Sequence, residues 1–176
     1  MTVLHAPPGF DDPLRFIQSA HVRIEQRTAL LCELCKHVAA HGVDETSRKT
    51  ADAVMRYFDE APLLHHQDEE QDLFPRLLAA APAKTRAGVE RVLALLTAQH
   101  GEMDRLHAEV RPCLAAMREG QPVPLDAAIC GRIHELYVEH IAIEEAEIMP
   151  LAEKLLSAAA LAELGKSMAA RRSRAG

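Results

Sequence analysis

Tryptophan is absent from this chain of 176 residues, and aromatic side chains make up only 3% of it. No run of β-branched residues appears either, so the side chains that strands favour are scarce and an all-β domain is close to excluded. The roughly 18-residue apolar run that a membrane helix needs is missing, and the N-terminus, MTVLHAPPGFDDPL, has neither the basic start nor the apolar stretch of a signal peptide. A cytoplasmic location with no membrane partner is expected. The four cysteines, Cys32, Cys35, Cys113 and Cys130, are too few for the dense disulfide framework of a small secreted domain, so reduced thiols are expected. Basic residues do not cluster except at Arg171, Arg172 and Arg174, and the net charge is -6, which argues against a nucleic-acid partner.

With 48% hydrophobic and 26% charged residues, the chain has a globular balance and the length of one folded domain. Residues 1–12 hold two prolines, a glycine and two aspartates and read as an extended arm. From Pro13, apolar positions recur in steps of three and four at Leu14, Ile17, His21, Ile24, Thr28, Leu31, Cys35 and Val38, one stripe of an amphipathic helix that Gly42 ends. Asp44 or Thr46 can cap a second helix with Ala51, Val54, Phe58, Ala61, His65 and Glu69 inward, and Pro62 either kinks it or opens a new segment. The break falls at residues 81–84. A third helix carries Val89, Leu93, Leu96, His100, Met103, His107, Val110 and Leu114, with a late kink expected at Pro112. The fourth runs from about Leu125 to near Pro150 with Ile129, Ile133, Leu136, His140, Ile143 or Glu144, and Glu147 inward. The expected fold is all-α, an antiparallel up-down-up-down four-helix bundle over residues 13–152, followed over residues 153–176 by a short C-terminal fifth helix and a basic tail.

Each of the four stripes carries a histidine near its middle: His21, His65, His100 and His140. A lone histidine on an apolar face is ordinarily neutral and hydrogen-bonded in the core. Four at one depth must find partners in a dry bundle centre. His65 is followed at i+4 by Glu69 and His140 by Glu144, which places each pair on one helix face. Unpaired carboxylates in such a core cost several kcal/mol and repel one another, and no lysine or arginine lies on these stretches of stripe. Metal cations resolve the conflict. The sequence also repeats: HHQDEEQDLFP at residues 65–75 and HIAIEEAEIMP at residues 140–150 share the pattern H-x-x-x-E-E-x-x-apolar-apolar-P. The first two helices and the last two therefore read as a duplicated pair around a pseudo-two-fold axis.

At these residues the chain resembles the hemerythrin-like family, the HHE cation-binding domain, whose members are four-helix bundles holding a non-haem di-iron centre. The resemblance implies that His21, His65, Glu69, His100, His140 and Glu144 are iron ligands, with Glu69 and Glu144 bridging two ions that cycle between Fe2+ and Fe3+ and can share an oxide or hydroxide. Imidazole and carboxylate without thiolate also suit octahedral iron or manganese over zinc, and the resemblance makes manganese the less expected of the two. The ferritin-like signature, a lone Glu on two helices and Glu-x-x-His on the others, is not the one present. Oxygen carriers of the family have a second histidine at i+4 on the third helix, where this chain has Asp104.

Four imidazoles and two bridging carboxylates fill about eight of the roughly twelve positions around two octahedral ions. A bridge, Asp104, Glu25 or water can fill others, and an open position admits dioxygen, nitric oxide or peroxide. Binding or sensing such a ligand is the expected function; a peroxide- or nitric-oxide-consuming enzyme and a metal-free interaction bundle are the rivals. His66 and Glu70 form a second i+4 pair judged to lie outside the inner one. Cys32 and Cys35 read as packing residues, His107 as a buried or rim histidine, His5, His37, His41 and His134 as surface, Glu145 as a solvated residue, and the arginine tail as a solubilising end.

Overall fold

The computed structural model describes residues 8–175, so most of the expected N-terminal arm, His5 included, lies outside the described residues. Among the described residues all regular structure is helical. Helix α1 (Pro13–His41) starts where Asp12 accepts a hydrogen bond from the Arg15 amide and Pro13 opens the first turn, and it stops at Gly42, whose φ of 74° is open to glycine at little cost. Helix α2 (Glu45–Phe58) is capped reciprocally by Asp44 and Ser47. Of the two outcomes expected at Pro62, the structure shows the new segment: α2 ends before Asp59, and α3 (Ala61–Asp68) begins with Pro62 in its first turn. A π-helical segment (Glu69–Leu73) and α4 (Phe74–Ala80) continue it. Helix α5 (Ala83–Arg118) runs as one element through Pro112. Helix α6 (Ala127–Ile143), capped by Asp126, passes into a second π segment (Glu144–Ile148), α7 (Met149–Leu155) and, after a short break, α8 (Ala158–Ala175).

The expected end near Pro150 is therefore wrong. The helix runs on through a π turn, and Pro150 falls in the first turn of α7, which continues to Leu155. Helix α1 packs on α6 and α2, and α5 packs on α2 and α6. That cycle of neighbours is consistent with the expected four-helix bundle.

The apolar core comes in two parts. One gathers Ile24, Leu31, Met103, Val110, Ile133 and Leu136. The other gathers Ile17, Leu73, Leu77, Leu96, Ile148 and Met168. In sequence His21 falls between Ile17 and Ile24, and His100 between Leu96 and Met103, so a polar layer divides the two. Helix α8 belongs to the second part through Leu164 and Met168. It approaches the chain start so closely that a Cβ at Gly165 would sit 1.9 Å from the Phe10 carbonyl oxygen, which requires glycine there.

The arginine tail is not a free solubilising end. Arg171 binds Asp68 and Asp72, and Arg172 binds Asp68 at 2.7 Å. No described helix is long and apolar enough to cross a membrane.

Candidate metal centre

Both acidic motifs enter the core through a π turn. The Phe74 amide bonds to the Glu69 carbonyl and the Met149 amide to the Glu144 carbonyl, each spanning five residues instead of four. The cause is in the motif: a proline follows each π turn, and in an α-helix the rings of Pro75 and Pro150 would strike the carbonyls of Gln71 and Ala146. The wider turn removes that clash and adds one residue to the register. Glu147, expected inward, is consequently exposed, and Ile148 takes the core position at 1% exposure. Such bulges occur often at functional sites because they re-aim side chains.

The six candidate ligands meet in one buried layer. His21, His65, Glu69 and Glu144 form one group whose ligand atoms lie within 4.8 Å of one another, and Glu69, His100, His140 and Glu144 form a second. Both carboxylates belong to both groups. His65 Nε2 lies 3.0 Å from Glu69 Oε1, His21 Nε2 3.0 Å from Glu144 Oε2, and His100 and His140 Nε2 3.4 Å from Glu69 and Glu144 respectively. The Nε2 atoms of His100 and His140 face each other at 3.1 Å.

These atoms converge without pairing off. Both oxygens of Glu69 and of Glu144, with His21 and His65 Nε2, are buried and make no hydrogen bond of acceptable geometry. A protein core does not ordinarily leave that many polar atoms unsatisfied. Neighbouring donors around one octahedral ion, each about 2.1 Å from it, stand about 3 Å apart, which is the spacing observed. The residues fit a pair of cations.

Outside the layer, a hydrogen bond fixes the ring of three of the histidines. His21 Nδ1 donates to Glu145 at 2.6 Å, His100 Nδ1 to Glu70 at 2.6 Å, and His140 Nδ1 to the Gln99 side-chain oxygen at 3.0 Å. Each bond turns Nε2 inward, as in the outer shell of many metal sites. Glu145 is thus not a merely solvated residue, nor is Glu70 simply the partner of His66. In each motif the first glutamate faces the layer and the second reaches a histidine supplied by the other half of the repeat. The doubled Glu-Glu in both copies was the available signal; nothing in the sequence marked Gln99.

Burial lowers the basicity of His21, but the close negative charges of Glu144 and Glu69 outweigh it and raise its pKa to about 10. Burial drives His65 down to about 4. Burial also opposes ionisation of Glu69, yet His65, His100 and His21 hold it well below the usual carboxylate range.

His66 is buried, against expectation. At 5% exposure it stacks on His100 with ring centroids 3.9 Å apart and planes 13° from parallel, and neither ring nitrogen has a partner. Neither Asp104 nor Glu25 joins either metal-competent group. Asp104 keeps 62% side-chain exposure. His107 is half-buried, stacks on Phe58 and bonds to the Tyr137 hydroxyl at 3.3 Å. His37 and His134 are half-buried rather than free on the surface, bonding to Asp44 at 2.9 Å and Thr28 at 2.9 Å. The Cys32 thiol donates to the Cys130 carbonyl at 3.4 Å and the Cys35 thiol to the Leu125 carbonyl at 3.5 Å. Burial pushes the Cys130 thiol up to about 12, the state of an unreactive packing cysteine.

The chain is similar to a Haemophilus influenzae protein described as uncharacterized, 27% identical over 163 residues that cover 93% of this chain and 91% of the relative. Residues 12–152 match the family model of the hemerythrin HHE cation binding domain. That span contains both acidic motifs and all six residues of the buried layer, and the chain belongs to the hemerythrin HHE cation-binding domain family.

Proposed function

We propose that this protein is a non-haem di-iron four-helix bundle with an added C-terminal helix that binds or senses a small ligand such as dioxygen, nitric oxide or peroxide. The observation that carries the reading is the pair of buried four-residue groups that share Glu69 and Glu144. In this reading His21 and His65 would hold one ion and His100 and His140 the other, with Glu69 and Glu144 shared between the two groups. Iron so held would supply one-electron steps between Fe2+ and Fe3+ and open coordination positions. Iron suits imidazole and carboxylate donors without thiolate better than zinc, with manganese the weaker alternative.

The protein's part is to hold the four Nε2 atoms inward, keep both carboxylates ionised in a dry layer, and exclude bulk water. A metal-free interaction bundle would leave four carboxylate oxygens buried without partners. Asp104, exposed and outside both groups, neither replaces the second histidine of oxygen carriers nor adds an anionic donor. With one neutral donor fewer than the oxygen carriers, the reduced protein should autoxidise in air rather than carry oxygen reversibly.

Metal analysis tests the reading. Protein reconstituted with ferrous iron and desalted should retain about two irons per chain and show a near-ultraviolet charge-transfer band when oxidised. His65→Ala should lose stoichiometric binding. Less than half an equivalent in the wild type refutes a di-iron centre. An oxygenated spectrum that reverts on degassing restores oxygen carriage, and catalytic loss of peroxide that disappears in His140→Ala moves the protein to the enzymes.

A further inference from the structure

Tyr137 is the largest fully buried side chain among the described residues, and Tyr57 is the only other tyrosine in a chain without tryptophan. The Tyr137 hydroxyl donates a hydrogen bond to Nε2 of His107 at 3.3 Å. Burial lowers the pKa of His107 to about 4, so at neutral pH that nitrogen is bare and accepts. Burial also raises the Tyr137 phenol well above its ordinary value, so the phenol keeps its proton. A phenol that loses one electron becomes a strong acid, and the base that takes its proton is already in place. His107 also lines a surface cleft with Asp104, through which a proton can return to solvent.

A row of near-parallel rings leads from Tyr137 to the metal layer. The His66 ring centroid lies 6.2 Å from that of Tyr137 with the planes 26° from parallel, and His66 stacks on His100 at 3.9 Å. His100 belongs to one of the two metal-competent groups and His66 to neither. Both His66 ring nitrogens lack a partner, and a ring that passes an electron by contact needs none. A tyrosine placed only to fill the core needs a partner for its hydroxyl. It does not need a base that opens to solvent, nor a stacked row that ends at the layer.

We propose that Tyr137 is a redox-active residue, giving one electron to the buried layer through His66 and His100 while its phenolic proton passes to His107. The oxidant is hydrogen peroxide meeting a centre with one ferrous ion left. Breaking the O–O bond to give two waters takes two electrons and two protons. One electron comes from the ferrous ion, which becomes ferric, and the other from Tyr137; both protons come from solvent, and the phenolic proton stays on His107. What remains is a neutral tyrosyl radical hydrogen-bonded to a His107 cation, a charge that the Asp104 carboxylate on the same cleft offsets.

The electron's destination rests on the di-iron reading, whereas the Tyr137–His107 pair is testable without metal. In metal-free Tyr57→Phe, where Tyr137 is the sole tyrosine, a photogenerated ruthenium(III) polypyridyl oxidant should give a tyrosyl radical detected by electron paramagnetic resonance. Wild type measured against Tyr137→Phe should give the same difference. Adding His107→Gln, which removes the base, should lower the radical yield about tenfold or more with the helical circular dichroism retained. No radical from Tyr137, or an unchanged yield in His107→Gln, overturns the proposal. In half-oxidised, iron-loaded protein mixed with hydrogen peroxide, the same radical should appear. His66→Leu, which removes the middle ring, should slow its appearance about tenfold or more with iron content unchanged, and His66→Phe, which keeps a stacked ring, should restore it. An unchanged rate in His66→Leu refutes the route, and loss of iron in that variant makes His66 a ligand and refutes its assigned role. If the wild type retains no iron, the di-iron reading fails while the photo-oxidation test still decides the tyrosine and its base.

Discussion

One place after its histidine the first acidic motif carries His66, and the second carries Ile141; three places on, Asp68 faces Ile143 across the same comparison. His65 and His140, Glu69 and Glu144, Glu70 and Glu145 correspond in residue type, and the first two pairs are buried in one layer. The difference begins one helical step away from that layer. In the second half the variable positions are apolar and pack in the core. In the first half they are polar: Asp68, at 1% side-chain exposure, is held by two arginines of α8, and His66 is buried and stacks on His100. The duplicated groups set which atoms meet, and the unduplicated ones give the two sides of the centre different surroundings.

The comparison breaks most completely at the shared carboxylates. Because each belongs to both metal-competent groups, Glu69→Ala and Glu144→Ala should each, on the proposed di-iron reading, lower iron from about two to near zero per chain, whereas a site divided between the halves would lose about one. Metal analysis after desalting distinguishes these. Next comes the clamp that only the first half has. Replacing Arg171 and Arg172 together by Ala leaves Asp68 buried and unpaired and should cost about 3 kcal/mol of stability by denaturant unfolding, as breaking buried ion pairs generally does. Ile143→Ala, at the matching place in the second half, should cost about 1 kcal/mol for a half-buried side chain. Equal costs would erase the asymmetry.

The outer glutamates sharpen the likeness instead. Glu70→Ala and Glu145→Ala should each weaken iron binding about 10- to 100-fold, and by similar factors, in competition with a chelator. A smaller effect sits at His107, whose pKa burial lowers to about 4 from an unfolded value near 6.5. The unfolded chain then binds the extra proton between those values, so His107 costs no stability above pH 6.5 and destabilises the fold increasingly as pH falls toward 4, by on the order of 2 kcal/mol. Unfolding of His107→Gln should show a correspondingly shallower acid limb.

Much of this was legible in the residue order. The i+4 spacing of His65 to Glu69 and of His140 to Glu144, together with histidines on the other two stripes, marked the six residues that meet. Their burial follows from a helical period that stays regular up to each glutamate. Beyond it the period fails, because Pro75 and Pro150 force a π turn and shift every later residue by one place; Glu147 was misplaced for that reason. Periodicity also misjudged His66, since a helix that ends in a wide turn buries a broader arc than one stripe. The Asp68 clamp joins residues a hundred positions apart, and nothing local in either segment announces the other.

The polar layer that splits the apolar core has a kinetic side. A continuous core opens as one cooperative unit, but here two packed ends meet only across groups that want a cation between them. In metal-free protein the end containing α8, Leu77 and Leu164 and the end containing Leu31, Val110 and Ile133 should exchange their amide hydrogens at separate rates, as two subglobal openings. Bound ions would tie α1, α3, α5 and α6 together at mid-height and merge those openings into one.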